Sequence, residues 1–268
     1  MSIDLRAAAL QWLAAARPAV VVQVVAHKGS VPREAGTRML VAADEVLGTV
    51  GGGQLELRAI EDARALLMQG GGARQQLQQQ QHIALGPSLG QCCGGALDLR
   101  FTPLAAAEPD KWALATPRFT LQLYGAGHVG RAIVRLLAGI PCQVQWIDER
   151  EREFPAAPLP PHIQRLCVEP VQAEVAAAPP GACFLVLTHS HALDLAISLA
   201  ILQRADFAYF GLIGSRTKRA RFEHRLRERG CAAEHIDRMV CPIGVAGIEG
   251  KEPEVIAVAV VAQLLLLT

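Results

Sequence analysis

The chain has 268 residues, 51% hydrophobic and 19% charged, which is enough apolar material for two filled cores and excludes a disordered chain. Its net charge of +1 gives no electrostatic case for nucleic acid or an acidic membrane surface, so small molecules and proteins are the expected partners. Seven scattered cysteines lack the spacing of a secreted disulfide framework, and no secretory leader is apparent, which together point to a reducing cytoplasm.

Helical spacing of Leu5, Leu10 and Leu13 predicts a first helix over 4–16, followed by a β-branched strand from Val20 to Val25 and a polar turn at His27 to Ser30. Strands are expected at Thr37–Ala42 and Val46–Val50, then a helix from about Leu55 to Met68. Between them Gly51, Gly52 and Gly53 could wrap a phosphate with charge from Arg33 and Arg38, or form a plain tight turn; Glu56 would then complement the helix dipole. The glutamine tract Gln75–Gln81 reads as a solvated helix end or loop. Cys92 and Cys93 follow in a glycine-rich bend, Gly90 to Gly95, ahead of a strand at Ala96–Thr102. Adjacent cysteines close on each other only through a strained ring, so exposed thiols or soft metal ligands are expected, with burial as small hydrophobes the competing reading. In an extended segment the two would face opposite ways, leaving one of them spare.

Pro103 to Arg118, rich in Ala, Pro and charge, suits a linker on which Trp112 and Leu114 could dock. Beyond it strands and helices alternate: Thr120–Tyr124, a helix through Leu137, Gln143–Ile147, Ala182–Leu187, a helix from about Leu193, and Tyr209–Ile213. The proline-rich segment Arg150 to Ala178 is expected to be irregular. Val255 to Leu267 falls short of a bilayer span and follows a helix start at Pro253, so it reads as a buried helix and no membrane association is expected. The expected architecture is α/β: a small N-terminal α/β domain (1–103), a linker (104–118) and a C-terminal Rossmann-like parallel-sheet domain (119–268).

Gly125, Gly127 and Gly130 form G-x-G-x-x-G between a strand and a helix, with Asp148 about 20 residues on to accept from ribose hydroxyls. His128 stands where a small residue is usual, and Arg150 and Arg152 follow Asp148, so NAD, NADP and another phosphate ligand all stay open. His189, His191 and Asp194 leave a strand end, where they could form a metal trio, line a substrate or cap the next helix. Ser215 and Arg216 open a basic helix that could hold an anion or simply face solvent.

Taken together these segments resemble the XdhC/CoxI family, accessory proteins of xanthine dehydrogenase and related molybdenum hydroxylases. The resemblance rests on Gly29-Ser30-Val31-Pro32-Arg33 through Gly36-Thr37-Arg38, Gly48 to Glu56, Cys93-Gly94-Gly95, Tyr124 to Gly130, Leu187 to Asp194, Gly211 to Arg216 and Pro242-Ile243-Gly244. It implies a non-catalytic carrier, expected to be a homodimer, that binds the molybdenum cofactor (molybdopterin) and protects it while a cysteine desulfurase sulfurates it. Delivery to apo xanthine dehydrogenase or a related molybdenum hydroxylase would follow. Cys93 would be the thiol on the metal with Cys92 in support, and a nucleotide in the Rossmann-like domain is a further expectation. The chain departs from the family pattern at Gly52-Gly53-Gln54-Leu55-Glu56, where relatives often read Gly-Cys-Leu-Glu, so a thiol from that loop is absent. The competing class is an NAD(P)-dependent oxidoreductase using Asp148 for ribose and His189 or His191 as proton donor, and a third reading makes the Rossmann half a docking scaffold only.

Overall fold

The computed structural model describes residues 5–69, 79–86, 94–113 and 116–267, in two compact units, Ile3–Leu114 and Ala115–Thr268. Helix α1 (Leu5–Ala14) opens the first unit, whose sheet contains β1 (Val20–Lys28), β2 (Arg38–Val41), β3 (Val46–Gly48), β4 (Gln79–Ala84) and β5 (Ala96–Pro103). These five strands pair antiparallel in the order β3-β2-β1-β5-β4. Alternation along β1 and β2 sends Val20, Val22, Met39 and Val41 to one face, where Leu55, Ala59 and Ala63 of helix α2 (Gly53–Gln69) cover them. Val21 and Leu40 point the other way, against Ala9 and Trp12 of α1. Each buried aliphatic side chain contributes about 1.5–3 kcal/mol, so both helices are held by their apolar faces.

Two expectations change in this unit. Gln79, Gln80 and Gln81 belong to edge strand β4, not to a loop, because pairing with β5 supplies their backbone partners while the side chains stay solvated; the rest of the tract lies outside the described residues. The segment expected as a linker is structured over residues 104–113. Leu104 is buried beside α1, 3-10 turns form at Leu104–Ala106 and Pro109–Lys111, and Arg6 donates to the Pro109 and Asp110 carbonyls at 3.2 and 2.9 Å. Trp112 packs there as expected, its Nε1 donating to the Ala107 carbonyl at 2.9 Å, whereas Leu114 lies outside the described residues.

The second unit is a six-stranded sheet in the order β11-β10-β9-β6-β7-β8, parallel throughout. Its strands are β6 (Thr120–Tyr124), β7 (Gln143–Asp148), β8 (Ile163–Cys167), β9 (Cys183–Val186), β10 (Tyr209–Leu212) and β11 (Met239–Val240). Helices α3 (His128–Leu137) and α7 (Pro253–Leu265) cover the face carrying Leu121, Leu123, Trp146 and Leu185. Helices α4 (His191–Arg204), α5 (Arg216–Glu228) and α6 (Ala233–Asp237) contribute to the other face with Val171 and Val175, over Tyr124, Ile147, Phe184 and Phe210. Helices on both faces explain why these strands read as near-continuous apolar runs. β8 is a strand inside the segment expected to be irregular. Strand order reverses between β9 and β6, which places a topological switch point beside the Tyr124 and Val186 ends. No described helix is long and apolar enough to cross a membrane.

Candidate functional site

In the first unit, three motif loops meet at one end of the sheet. β1 ends at Lys28 opposite Ala96 of β5, and Gly48 of β3 pairs with Met39 at the same end of β2. Gly95 has no room for a Cβ, which would overlap the Ser30 carbonyl oxygen and come 2.7 Å from that of Lys28. At Gly51 a Cβ would strike the Pro32 ring. Glycine at these two positions is therefore what lets 28–32, 49–53 and 94–95 close on one another. Cys92 and Cys93, which precede Gly94 in the chain, lie outside the described residues.

The glycine loop already holds an anion, the carboxylate of Glu56. Its Oε2 accepts from the Val50 and Gly52 amides, both at 3.1 Å, and from Thr49 Oγ1, while the Gly51 amide donates to Thr49 Oγ1 at 3.1 Å. Burial alone would raise this carboxyl, but those hydrogen bonds outweigh it and hold Glu56 below its ordinary range. Glu56 thus does more than complement the helix dipole: it knots the loop, and the amides expected to wrap a phosphate at Gly51–Gly53 are partly consumed by it. Arg33 is exposed. Arg38 does not turn toward the loop; its guanidinium stacks 4.8 Å over the Trp112 ring.

In the second unit the fingerprint glycines divide the work. Gly125, at φ +118°, abuts the Leu187 carbonyl oxygen, and a Cβ on Gly130 would overlap the Gly125 carbonyl, so these two fix the strand-to-helix turn. A Cβ on Gly127 would meet only open space, which leaves the start of α3 approachable. Exposed His128 stands there, and no side chain caps the helix. Alongside, at the switch point, lies a small cleft lined by Tyr124, Gly125, Asp148, Glu149, Thr188 and His189 among others.

Asp148 sits in this cleft but is not free. Oδ1 accepts from the Arg150 amide and Nε, both at 2.9 Å, and Oδ2 from the Ala126 amide at 2.7 Å and Arg150 Nη2 at 3.0 Å. Burial would raise its carboxyl, yet the Arg150 guanidinium and the two amides prevail and hold it low. The sequence marked Asp148 and noted Arg150 without showing that they would pair.

His189, His191 and Asp194 do not form a metal trio. Asp194, 1% exposed, accepts from the Thr188 amide (3.0 Å) and Oγ1 (2.7 Å) and pairs with Lys218 Nζ at 2.6 Å. Lys218 Nζ donates as well to the Ile213 carbonyl at 2.7 Å, so one buried ion pair ties the loops after β9 and β10 together. Both histidines are exposed, with His189 Nε2 3.6 Å from Glu149 Oε1, and among the described residues no three His, Cys, Asp or Glu side chains converge on a metal position. Ser190 caps α4 by accepting from the Leu193 amide at 3.4 Å. Ser215 likewise caps α5, accepting from the Lys218 amide at 3.2 Å, and Arg216 is exposed in that helix's first turn. Lys218 was legible only as part of a basic helix, since its partner lies 24 residues away.

Residues 121–264 match the model of the XdhC Rossmann domain, and residues 12–78 match that of the XdhC and CoxI family. The chain belongs to the XdhC and CoxI family. The uncharacterized protein YqeB of Escherichia coli (strain K12) is 32% identical over 255 residues, which cover 92% of this chain and 43% of YqeB. The chain thus spans less than half the length of that curated relative. A crystal structure of a xanthine dehydrogenase from Bacillus halodurans superimposes with a TM-score of 0.72 at 18% identity, covering 98% of this chain and 95% of that one. At that identity the likeness concerns the fold, and it spans both units of this family member.

Proposed function

We propose that the protein is an accessory carrier of the molybdenum cofactor, holding it during sulfuration and handing it to a xanthine dehydrogenase or related molybdenum hydroxylase. Family membership supports the accessory role. The observation that carries the more specific reading is the convergence of 28–32, 49–53 and 94–95 at one sheet end, because it gathers separate motifs of the family around the chain position next to Cys93.

The described residues fit such a ligand in part. A phosphorylated pterin dithiolene calls for cationic and amide donors near a soft thiolate. Exposed Lys28 and Arg33 and the first amides of α2 would meet the phosphate, whereas the Val50 and Gly52 amides are committed to Glu56. When bound, the cofactor supplies the oxygen-transfer and redox chemistry of the client enzyme. This chain's part is to hold it, with Cys93 as the proposed thiol on the metal, Cys92 in support, and a cysteine desulfurase as the sulfur source. No catalytic residue is assigned.

The test is transfer. Protein purified from a host that makes the cofactor is added to an apo molybdenum hydroxylase in the absence of any other cofactor source. Appearance of hydroxylase activity is expected; an apoenzyme that free cofactor reactivates but this protein does not would overturn the proposal.

A further inference from the structure

The fold of the second unit implies a dinucleotide, and the residues at its switch point do not fit one. Recognition of an adenosine ribose in this fold needs an acid at the end of the second strand with lone pairs to accept from the 2′ and 3′ hydroxyls. Asp148 is that acid by position, at the end of β7. An ionised carboxylate offers about four acceptor sites, and all four are filled: two by the Arg150 side chain, one by the Arg150 amide and one by the Ala126 amide.

The guanidinium engages both carboxylate oxygens, Nε to Oδ1 and Nη2 to Oδ2, the bidentate geometry that makes such pairs strong and directional. Its remaining arm is steadied by Glu153, with Nη1 3.6 Å from Oε1, and Glu153 is itself approached by Arg131 at 3.4 Å. The Asp148 side chain is 3% exposed against 25% for Arg150, so solvent meets the arginine of this pair far more than the acid. A ribose could reach Asp148 only by breaking the pair and leaving Arg150 without its principal partner.

We infer that Arg150 is a latch that closes the ribose-recognition carboxylate of the switch-point cleft, so that this Rossmann unit rejects NAD and other nucleotides presenting a ribose there. The inference does not depend on the carrier reading, since it concerns the second unit alone. It places the specificity of the cleft in one local pair, Asp148 with Arg150, and identifies Arg150 as the residue whose removal restores a nucleotide site.

Trp146 provides the readout. It is fully buried in the strand that ends at Asp148, and its Nε1 donates to the Gly125 carbonyl at 3.0 Å in the fingerprint turn. Binding of NAD and of NADP is measured by tryptophan emission and by isothermal titration for the wild-type chain, Arg150→Ala, Arg150→Gln and the double variant Arg150→Ala/Asp148→Asn. The wild type is expected to bind both no tighter than about 1 mM. Both single variants should gain at least about tenfold for NAD, the factor that one hydrogen bond to a charged acceptor represents. The double variant should lose that gain, which a purely structural role for Arg150 would not produce. Micromolar binding of NAD or NADP by the wild type would overturn the inference, as would folded single variants with unchanged affinity. Arg150→Gln keeps the side-chain stem and serves as the folded test if Arg150→Ala is unstable.

Discussion

Glu56→Gln isolates what the carboxylate contributes to the glycine loop, because the amide keeps the shape and one oxygen acceptor but removes the charge. Three donors converge on Glu56 Oε2, namely Thr49 Oγ1 and the Val50 and Gly52 amides. Weakening three charge-assisted bonds to neutral strength would cost about 3 kcal/mol if the group were fully buried. Glu56 is only partly buried, so water recovers some of that and about 1–2 kcal/mol is expected. For a unit of roughly 110 residues this lowers the melting temperature by about 4–10 °C. The pH dependence follows from the direction of the shift. The folded carboxyl titrates below its ordinary 4.5. Its contribution is therefore fully present above the unfolded value and is lost as pH falls through the folded one. Urea unfolding of both proteins from pH 8 to pH 3, followed by far-ultraviolet circular dichroism, should show a constant gap down to about pH 5 that closes in more acid solution. Coincident curves at pH 7, or a gap that persists unchanged to pH 3, would refute the assignment of Glu56 as the anion that knots the loop.

Breaking the buried pair by Lys218→Met strands Asp194 and should destabilise the second unit by about 3–5 kcal/mol, with the double variant Asp194→Asn/Lys218→Met recovering part of the loss in a denaturant cycle. Gly130→Ala drives a Cβ into the Gly125 carbonyl, the acceptor of the Trp146 indole, and should cost at least about 2 kcal/mol with a change in Trp146 emission; full stability would contradict the close helix packing. Burial pushes the Cys142 and Cys183 thiols up to about 11, so at pH 8 peptide mapping after brief alkylation should find both unmodified in the native protein and labelled in urea, while exposed Cys167 reacts first among these three.

The parts of the fold that sequence makes legible are those where side-chain pattern and backbone requirement coincide. Val20 to Val24 and Cys183 to Val186 read as strands because burial selects apolar residues along them. The spacing of Gly125, Gly127 and Gly130 reads as a fingerprint because two of the three positions exclude a Cβ. Edge strands escape this logic. β4 buries only Ile83 and β8 only Ile163, so backbone pairing holds both while their composition says glutamine tract or proline-rich connection. The site shows the same division. Loop convergence follows from glycines at 51 and 95, whose meaning depends on Pro32 and Ser30 arriving from elsewhere in the chain. The state of Asp148 depends on the rotamer of Arg150, and that of Asp194 on a lysine one helix away, neither of which periodicity encodes. Arg38 had the charge for a phosphate but is drawn to Trp112, in a segment that composition presented as linker.

We propose that this chain carries the molybdenum cofactor through Cys93. The most direct test is molybdenum and oxidised-pterin content per chain, measured on wild type and Cys93→Ala purified from a host that makes the cofactor. Near-stoichiometric cofactor is expected in the wild type, and its loss in the variant. Equal content in both would contradict the role of Cys93, and no cofactor in either would contradict the carrier function itself.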